Sequence, residues 1–171
     1  MAKGMYHYIA EAWKSPEKKT LRDRMTEWRR GNVIVKVEKP LRLDRARKLG
    51  YKAKKGFIVT RVYLKRGGHR RPRPSKARKS GASLAVRKSL SMNYQWIAEQ
   101  RAARKFKNLE VLNSYQIGKD GEHYFFEVIL VDPEKPEIKN DQTINWICKP
   151  ENRKRVFRGL TSAGRKSRGL R

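Results

Sequence analysis

Cysteine, acid and long apolar runs are all scarce in this chain, and each scarcity excludes something. Cys148 is the only cysteine in 171 residues, which rules out a disulfide within the chain and a cysteine-rich metal site. No histidine lies within 24 residues of it, so its expected role is that of a small, half-buried apolar residue beside Trp146 and Ile147, not a reactive thiol. No apolar run approaches the ~20 residues that span a bilayer. The opening MAKGMYHYIAEAW lacks the continuous apolar stretch of a signal peptide. These absences predict a soluble, intracellular protein. Catalytic signatures are missing too: there is no glycine-rich phosphate loop followed by Lys and Ser or Thr, and no metal-spaced cluster of His, Cys and Asp. His7, His69 and His123 are scattered, with hydrogen bonding or phosphate contact the expected role of each. No catalytic or metal-ligating residue is assigned and no small-molecule substrate is expected, although an enzyme built only on carboxylates and Lys would leave no such signature.

Asp and Glu number 16 against 44 Lys and Arg, a formal net charge of +28. The distribution says more than the total. From Arg45 to Ala98 there are 17 Lys and Arg and no acid, and from Asn152 to Arg171 another eight, again without an acid. Between these blocks Glu110 to Glu151 carries nine acids against four lysines. A surface that only needed solvation would mix the signs, because clustered like charges repel. Two acid-free blocks around an acidic segment imply a chain that meets a polyanion in some places and avoids it in others. Nucleic acid fits, since each neutralised phosphate releases condensed counterions, and RNA is the expected partner. An anionic membrane would call for an amphipathic basic helix or a lipid anchor. Lys65 to Lys79, the most basic stretch, contains two Pro and two Gly and cannot be such a helix. No membrane partner is expected. The acids of 110–151 are read as mostly solvent-facing on a hairpin, pointing away from phosphate.

With 37% hydrophobic residues, the chain holds enough apolar sequence for one compact domain. That domain is assigned to residues 1–151, with a basic loop inserted at 65–85, and residues 152–171 form a basic C-terminal extension. Two helices are expected between residues 3 and 31, the second capped by Ser15 with Pro16 at its first position and stopped by Gly31. Tyr6, Ile9, Ala10 and Trp13 share a face of the first. Leu21, Met25 and Trp28 form the apolar stripe of the second, whose Arg22, Arg24, Arg29 and Arg30 lie off it and could touch phosphate. Val33 to Val37 and Gly56 to Leu64 read as strands, the latter apolar enough to be central, with a short helix closed by Gly50 between them. A further helix is expected from about Val86 to Lys107, with Leu90, Tyr94, Ile97, Ala98, Ala102 and Phe106 on one face. Leu109 to Ile117 and His123 to Val131 then form a hairpin around Gly118-Lys-Asp-Gly121. Arg153 to Arg158 read as a helical turn or two. This order predicts an α+β fold: a four-stranded mixed or antiparallel sheet with helices packed on it.

The sharpest signal for binding is the stretch from Lys65 to Lys79. Arg66, Arg70, Arg71, Arg73 and Arg78, with Lys76 and Lys79, offer planar forks and point charges to phosphate oxygens. Gly67 and Gly68 let the backbone approach a groove wall closely, and Pro72 and Pro74 hold the chain extended. With almost no apolar residue the segment has nothing to bury, so free in water it should be disordered and should order on RNA. Arg87 and Lys88 extend the basic set toward the following helix. The C-terminal block, with Arg165, Lys166, Arg168 and Arg171, makes the same argument: a thin basic thread that would reach ~65 Å if fully extended, its evenly spaced glycines helping it follow irregular surfaces. Residues 65–85 and 152–171 are therefore both expected to exchange amide hydrogens freely away from RNA.

Several segments resemble one known family in order along almost the whole chain. They are Tyr51-Lys-Ala-Lys-Lys-Gly-Phe-Ile-Val59, Arg66-Gly-Gly68, Val111-Leu-Asn-Ser-Tyr115, Phe125-Phe-Glu-Val-Ile-Leu-Val-Asp132 and Gly159-Leu-Thr-Ser-Ala-Gly-Arg-Lys-Ser-Arg-Gly-Leu170. The family is the eukaryotic-type ribosomal protein fifteen of the large subunit, here resembling its archaeal form. The resemblance implies a structural, rRNA-binding ribonucleoprotein component in translation, located on the cytoplasmic ribosome beside neighbouring large-subunit ribosomal proteins. It also implies an α/β/α-layered core, no catalysis and no cofactor. The RNA-embedded parts would be the loop at 65–79 and the segment at 159–171. Recognition would be mainly by shape, since a folded RNA helix exposes phosphates and 2′-hydroxyls more readily than base edges. The alternative is a free architectural nucleic-acid-binding protein outside the ribosome. A third reading, an RNA-modifying enzyme, requires a pocket of polar residues that the sequence does not display.

Overall fold

A computed structural model describes residues 3–68 and 89–170 of the chain. In chain order the elements are α1 (Met5–Ala12), α2 (Lys18–Arg30), β1 (Ile34–Val37), α3 (Leu43–Lys48), β2 (Phe57–Lys65), α4 (Tyr94–Lys105), β3 (Glu110–Lys119), β4 (His123–Val131), α5 (Pro136–Lys139), 3-10 turns at Asn145–Cys148 and Pro150–Asn152, and α6 (Ser162–Ser167). The four strands form one sheet in the order β1-β2-β4-β3, antiparallel at every joint. The fold is α+β, and of the two sheet types foreseen the antiparallel one is realised.

β4 and β2 take the centre because their sequences tolerate burial on both faces. Every residue of β4 from Phe125 to Val131 is buried. It pairs with β2 without a break from Phe57↔Val131 to Lys65↔His123. Successive side chains alternate across the sheet. Val62, Leu64, Phe126, Val128 and Leu130 meet Trp96, Ala98 and Ala102 of α4, together with Val156 and Ala163. On the other face Phe125 and Ile129 join Tyr115 and Ile117 of β3, Trp28 of α2 and Ala46 of α3. The sheet therefore lies between two helical layers. Each large side chain fully buried there contributes ~1.5–3 kcal/mol. A third cluster joins Val131 to Ile138, Ile144 and Ile147, with Trp146 and Cys148 packed against it. Burial pushes the Cys148 thiol up, the opposite of what a reactive cysteine needs.

The structure differs from the sequence reading at element ends. α2 starts two residues past Pro16, with Glu17 rather than Ser15 at the cap, where the Glu17 carboxylate accepts the Thr20 hydroxyl and closes the first turn. Gly31 ends that helix in extended backbone instead of a left-handed turn. α4 begins at Tyr94, well after Val86, because the Asn93 side chain accepts the Trp96 N–H at 2.8 Å and fixes the N-terminus there. Residues 86–88 lie outside the described residues. Gly118 and Lys119 stay in β3 beyond a bulge, and the reversal falls on Asp120 to Glu122, where the N–H groups of Glu122 and His123 converge on the Asp120 carboxylate. Arg153 to Arg158 form non-helical turns.

The largest difference is at the C-terminus. Residues 159–170 are not an extended thread. Thr161 and Ala163 are buried, and the short helix α6 packs against the sheet and α4. Gly159 and Gly164 are spaced for close approach: a Cβ on Gly164 would stand 2.8 Å from the Gly159 Cα. Gly159 also needs its positive φ of 67°.

Candidate nucleic-acid interface

The first basic block leaves the sheet through a tied root. Past the end of β2, the Arg66 N–H donates to the Glu122 carbonyl at 2.7 Å. The Arg66 guanidinium donates to the Asp120 carbonyl at 2.7 Å and lies over the Tyr124 ring at 5.1 Å. Gly67, at φ 104°, both donates its N–H to the Tyr94 hydroxyl (2.8 Å) and accepts from it (3.1 Å). Arg66 thus serves the protein's own backbone, while Lys65 makes no ion pair among the described residues. Arg70, Arg71, Arg73, Lys76, Arg78, Lys79, Arg87 and Lys88 lie outside the described residues, as does Arg171.

The second block divides its cations by role. Arg155 points inward and donates to the carbonyls of Val111 (2.9 Å), Leu112 (3.1 Å) and Leu160 (3.3 Å), with its guanidinium over the Trp146 ring at 5.0 Å. Burial pulls its pKa down, and the charge of Glu99 opposes that shift. Arg158 donates to the carbonyls of Glu151 and Arg153, and Arg168 donates to the Arg158 carbonyl at 3.2 Å. Arg165 and Lys166, on α6, are exposed and make no ion pair among the described residues. Beside Arg168, whose guanidinium is bonded to the chain itself, these two keep their charge available.

Both blocks are anchored at one place, the N-terminus of α4. Tyr94 holds Gly67, and the neighbouring Asn93 donates its backbone N–H to the Ser167 hydroxyl oxygen (3.0 Å) and its side-chain amide to the Ala163 carbonyl (3.0 Å). The fold therefore brings Arg66, Gly67 and Gly68 to the same end of the molecule as α6. Sequence reading missed Asn93 and Tyr94 as fasteners. It also missed Trp96, whose indole N–H donates to the Val156 carbonyl at 2.7 Å and pins the start of the C-terminal block.

Two buried carboxylates, also missed, lie on opposite faces of the sheet. Glu99 accepts the hydroxyls of Ser114 and of Thr161 (2.6 Å), and Thr161 in turn caps α6 by accepting the Gly164 N–H at 3.2 Å. Burial raises the Glu99 pKa against the pull of those hydroxyls and of Arg155. Glu127 sits in register between Arg61 of β2 and Tyr115 of β3. It accepts the Tyr115 hydroxyl and the Leu41 N–H (3.1 Å to both oxygens). Burial raises its pKa too, with Tyr115, Leu41 and Arg61 opposing. A lone acid inside an otherwise apolar strand was the available sign for Glu127; only the register reveals its partners.

The acidic segment is consequently less solvent-facing than its composition implied. Glu122, Glu134 and Glu151 are exposed, but Glu127 is not. Asp141 is held far below the usual carboxylate range by the Lys52 ammonium (2.7 Å) and the Lys54 ammonium (2.6 Å). Asp120 stands beside the root of the basic loop, not away from it. Burial pushes its carboxyl up, but the N–H groups of His123 and Glu122 and the Arg29 guanidinium (3.0 Å) outweigh that and keep it below its ordinary value. Its charge is answered within the protein, so it does not cancel the nearby cations.

Among the described residues no helix is long and apolar enough to cross a membrane, and no group of three or more His, Cys, Asp or Glu could hold a metal ion. In a comparison with models of known protein families, residues 4–171 match the one described as Ribosomal L15.

Proposed function

The chain belongs to the Ribosomal L15 family, and we propose that it scaffolds ribosomal RNA through its two basic blocks, the loop at 65–85 and the segment at 152–171. Its family is one of structural proteins of the large ribosomal subunit, associated with ribosomal RNA and other ribosomal proteins. The observation that carries the finer reading is the shared anchorage at the N-terminus of α4, where Tyr94 grips Gly67 and Asn93 grips Ala163 and Ser167. A rigid junction of this kind lets two cationic elements hold separate RNA segments at a fixed distance. Arg165 and Lys166 present unpaired charge from α6, and Arg70, Arg71, Arg73, Lys76, Arg78, Lys79, Arg87 and Lys88 supply the loop's share by sequence. Recognition is by phosphate and shape, with affinity falling steeply as salt rises.

The test is gradient fractionation of cell extract at moderate salt. The protein should travel with the large subunit in the cytoplasm. Deleting residues 159–171 should impair subunit assembly. A protein that stays at the top of the gradient, or a deletion that only slightly weakens RNA binding, favours a free architectural protein and overturns the scaffold.

A further inference from the structure

β2 outruns its neighbour. β1 pairs only as far as Ile34↔Val62, and the last bond across that joint runs from the Tyr63 N–H to the Val33 carbonyl at 3.2 Å. Along a strand, N–H and C=O groups turn to alternate sides. The Arg66 N–H goes to Glu122 on the β4 side, so Lys65 turns its backbone N–H and C=O to the side that β1 has vacated. Facing this open edge is a cleft of about 860 Å³ between the end of β2 and the outer side of α4. Its apolar part includes Val33, Met92 and Ile97; its charged part includes Lys65, Arg101 and Arg104, and no lining residue is acidic. Arg101 is exposed and makes no ion pair among the described residues.

We propose that this cleft receives a single nucleotide of the bound RNA, its base turned out of the stack. The inference rests on the RNA-binding reading above and assigns it a discrete pocket. The base lies against Val33, Met92 and Ile97, its edge meets the N–H and C=O that Lys65 turns to the open edge, and its phosphate pairs with Arg101. Turned-out bases are read in this way, by flat apolar contact with hydrogen bonds at the rim. The volume lies within the usual range of small-ligand pockets, ~300–1,000 Å³. A cationic cleft without acids would also attract an acidic peptide added as a strand. The open edge, however, offers one residue's pair of backbone groups, which is too short for strand pairing.

The experiment is equilibrium binding of fluorescently labelled adenosine monophosphate to the full chain, with inorganic phosphate and a hexa-aspartate peptide as competitors. Arg101→Gln should weaken the nucleotide about tenfold, the loss of one charge-assisted contact. Val33→Trp, which fills the rim from an exposed position, should weaken it similarly. Lys139→Gln, removing the same charge elsewhere, should leave it unchanged, and all three should melt like wild type. The proposal is overturned if Arg101→Gln and Val33→Trp bind as well as wild type. It also fails if phosphate competes as well as the nucleotide, or if the aspartate peptide displaces it at lower concentration. Filter binding of deproteinised large-subunit RNA separates the two levels. A wild-type chain that fails to bind that RNA defeats the proposed function. One that binds it, with the cleft variants indifferent to nucleotide, defeats only the cleft.

Discussion

The two basic blocks share a composition and differ in what their cations do. The first leaves the sheet at Arg66 and Gly67, gripped at its root by Tyr94, with most of its Arg and Lys lying beyond that point in sequence. The second is wound back into the fold: Val156, Thr161 and Ala163 are buried, and Arg155, Arg158 and Arg168 donate to the chain's own carbonyls. Net charge therefore overstates the charge on offer to a polyanion. In the second block arginine serves partly as internal fastening, because its planar fork can satisfy several carbonyls left unpaired where turns replace regular structure. Among the described residues of that block, Arg153, Lys154, Arg165 and Lys166 retain the role that composition implied for all.

The division predicts unequal costs for removing the same side chain. Arg155→Ala leaves the carbonyls of Val111, Leu112 and Leu160 without their donor and takes the nearest countercharge from buried Glu99. The expected loss is ~3 kcal/mol of unfolding free energy, measured by urea denaturation. A loss below ~0.5 kcal/mol, the usual range of a surface substitution, would erase the distinction between the blocks. Thr161→Val is the next largest change. It removes the α6 cap and one of the two hydroxyls on Glu99 while keeping volume, for ~1–2 kcal/mol. Hydrogen exchange gives a second readout. Amides of 161–168 should be protected in the free protein and lose that protection in Thr161→Val. Free exchange there in wild type would restore the extended thread.

How much of this was legible follows from where the partners lie. β2 and β4 could be read because burial on both faces writes itself into a run such as Phe125-Phe-Glu-Val-Ile-Leu-Val131. The hairpin and the strip containing Trp28 were legible for the same local reason. α6 was not, since six residues with one buried alanine show no period, and the partners that hold it, Asn93, Trp96 and Glu99, lie more than sixty residues away in sequence. Arg155 was illegible as a fastener because sequence shows a charge and not the carbonyls it will meet. The start of α4 was misread because Leu90 continues the apolar spacing, whereas Asn93 competes by capping a helix that begins at Tyr94.

The link between Glu99 and the second block has a pH signature. Burial raises the Glu99 carboxyl above its ordinary 4.5. Between that value and the raised one, the folded chain holds more protons than the unfolded chain, so stability falls as pH rises through the window. Below the window both states are protonated and the term is constant. Glu127 contributes in the same sense from the opposite face. Glu99→Gln should flatten part of the decline, and Glu99→Gln with Glu127→Gln should flatten more, in denaturant midpoints measured from pH 4 to pH 7. An unchanged slope in both would mean that neither carboxyl is raised.

The smallest effect on stability should be the largest on RNA binding. Arg165 and Lys166 are exposed on α6 and bonded to no acid, so Arg165→Ala and Lys166→Ala should each move unfolding by less than ~0.5 kcal/mol. Each contact with phosphate releases condensed counterions. Each substitution should therefore lower the slope of log affinity for large-subunit RNA against log salt by ~0.7–0.9. Arg168→Ala, whose guanidinium is held by the Arg158 carbonyl, should change that slope less than either. If Arg168→Ala changes it as much as Arg165→Ala, the internal hydrogen bond gives way on RNA, and the second block joins the first in keeping its charge for the partner.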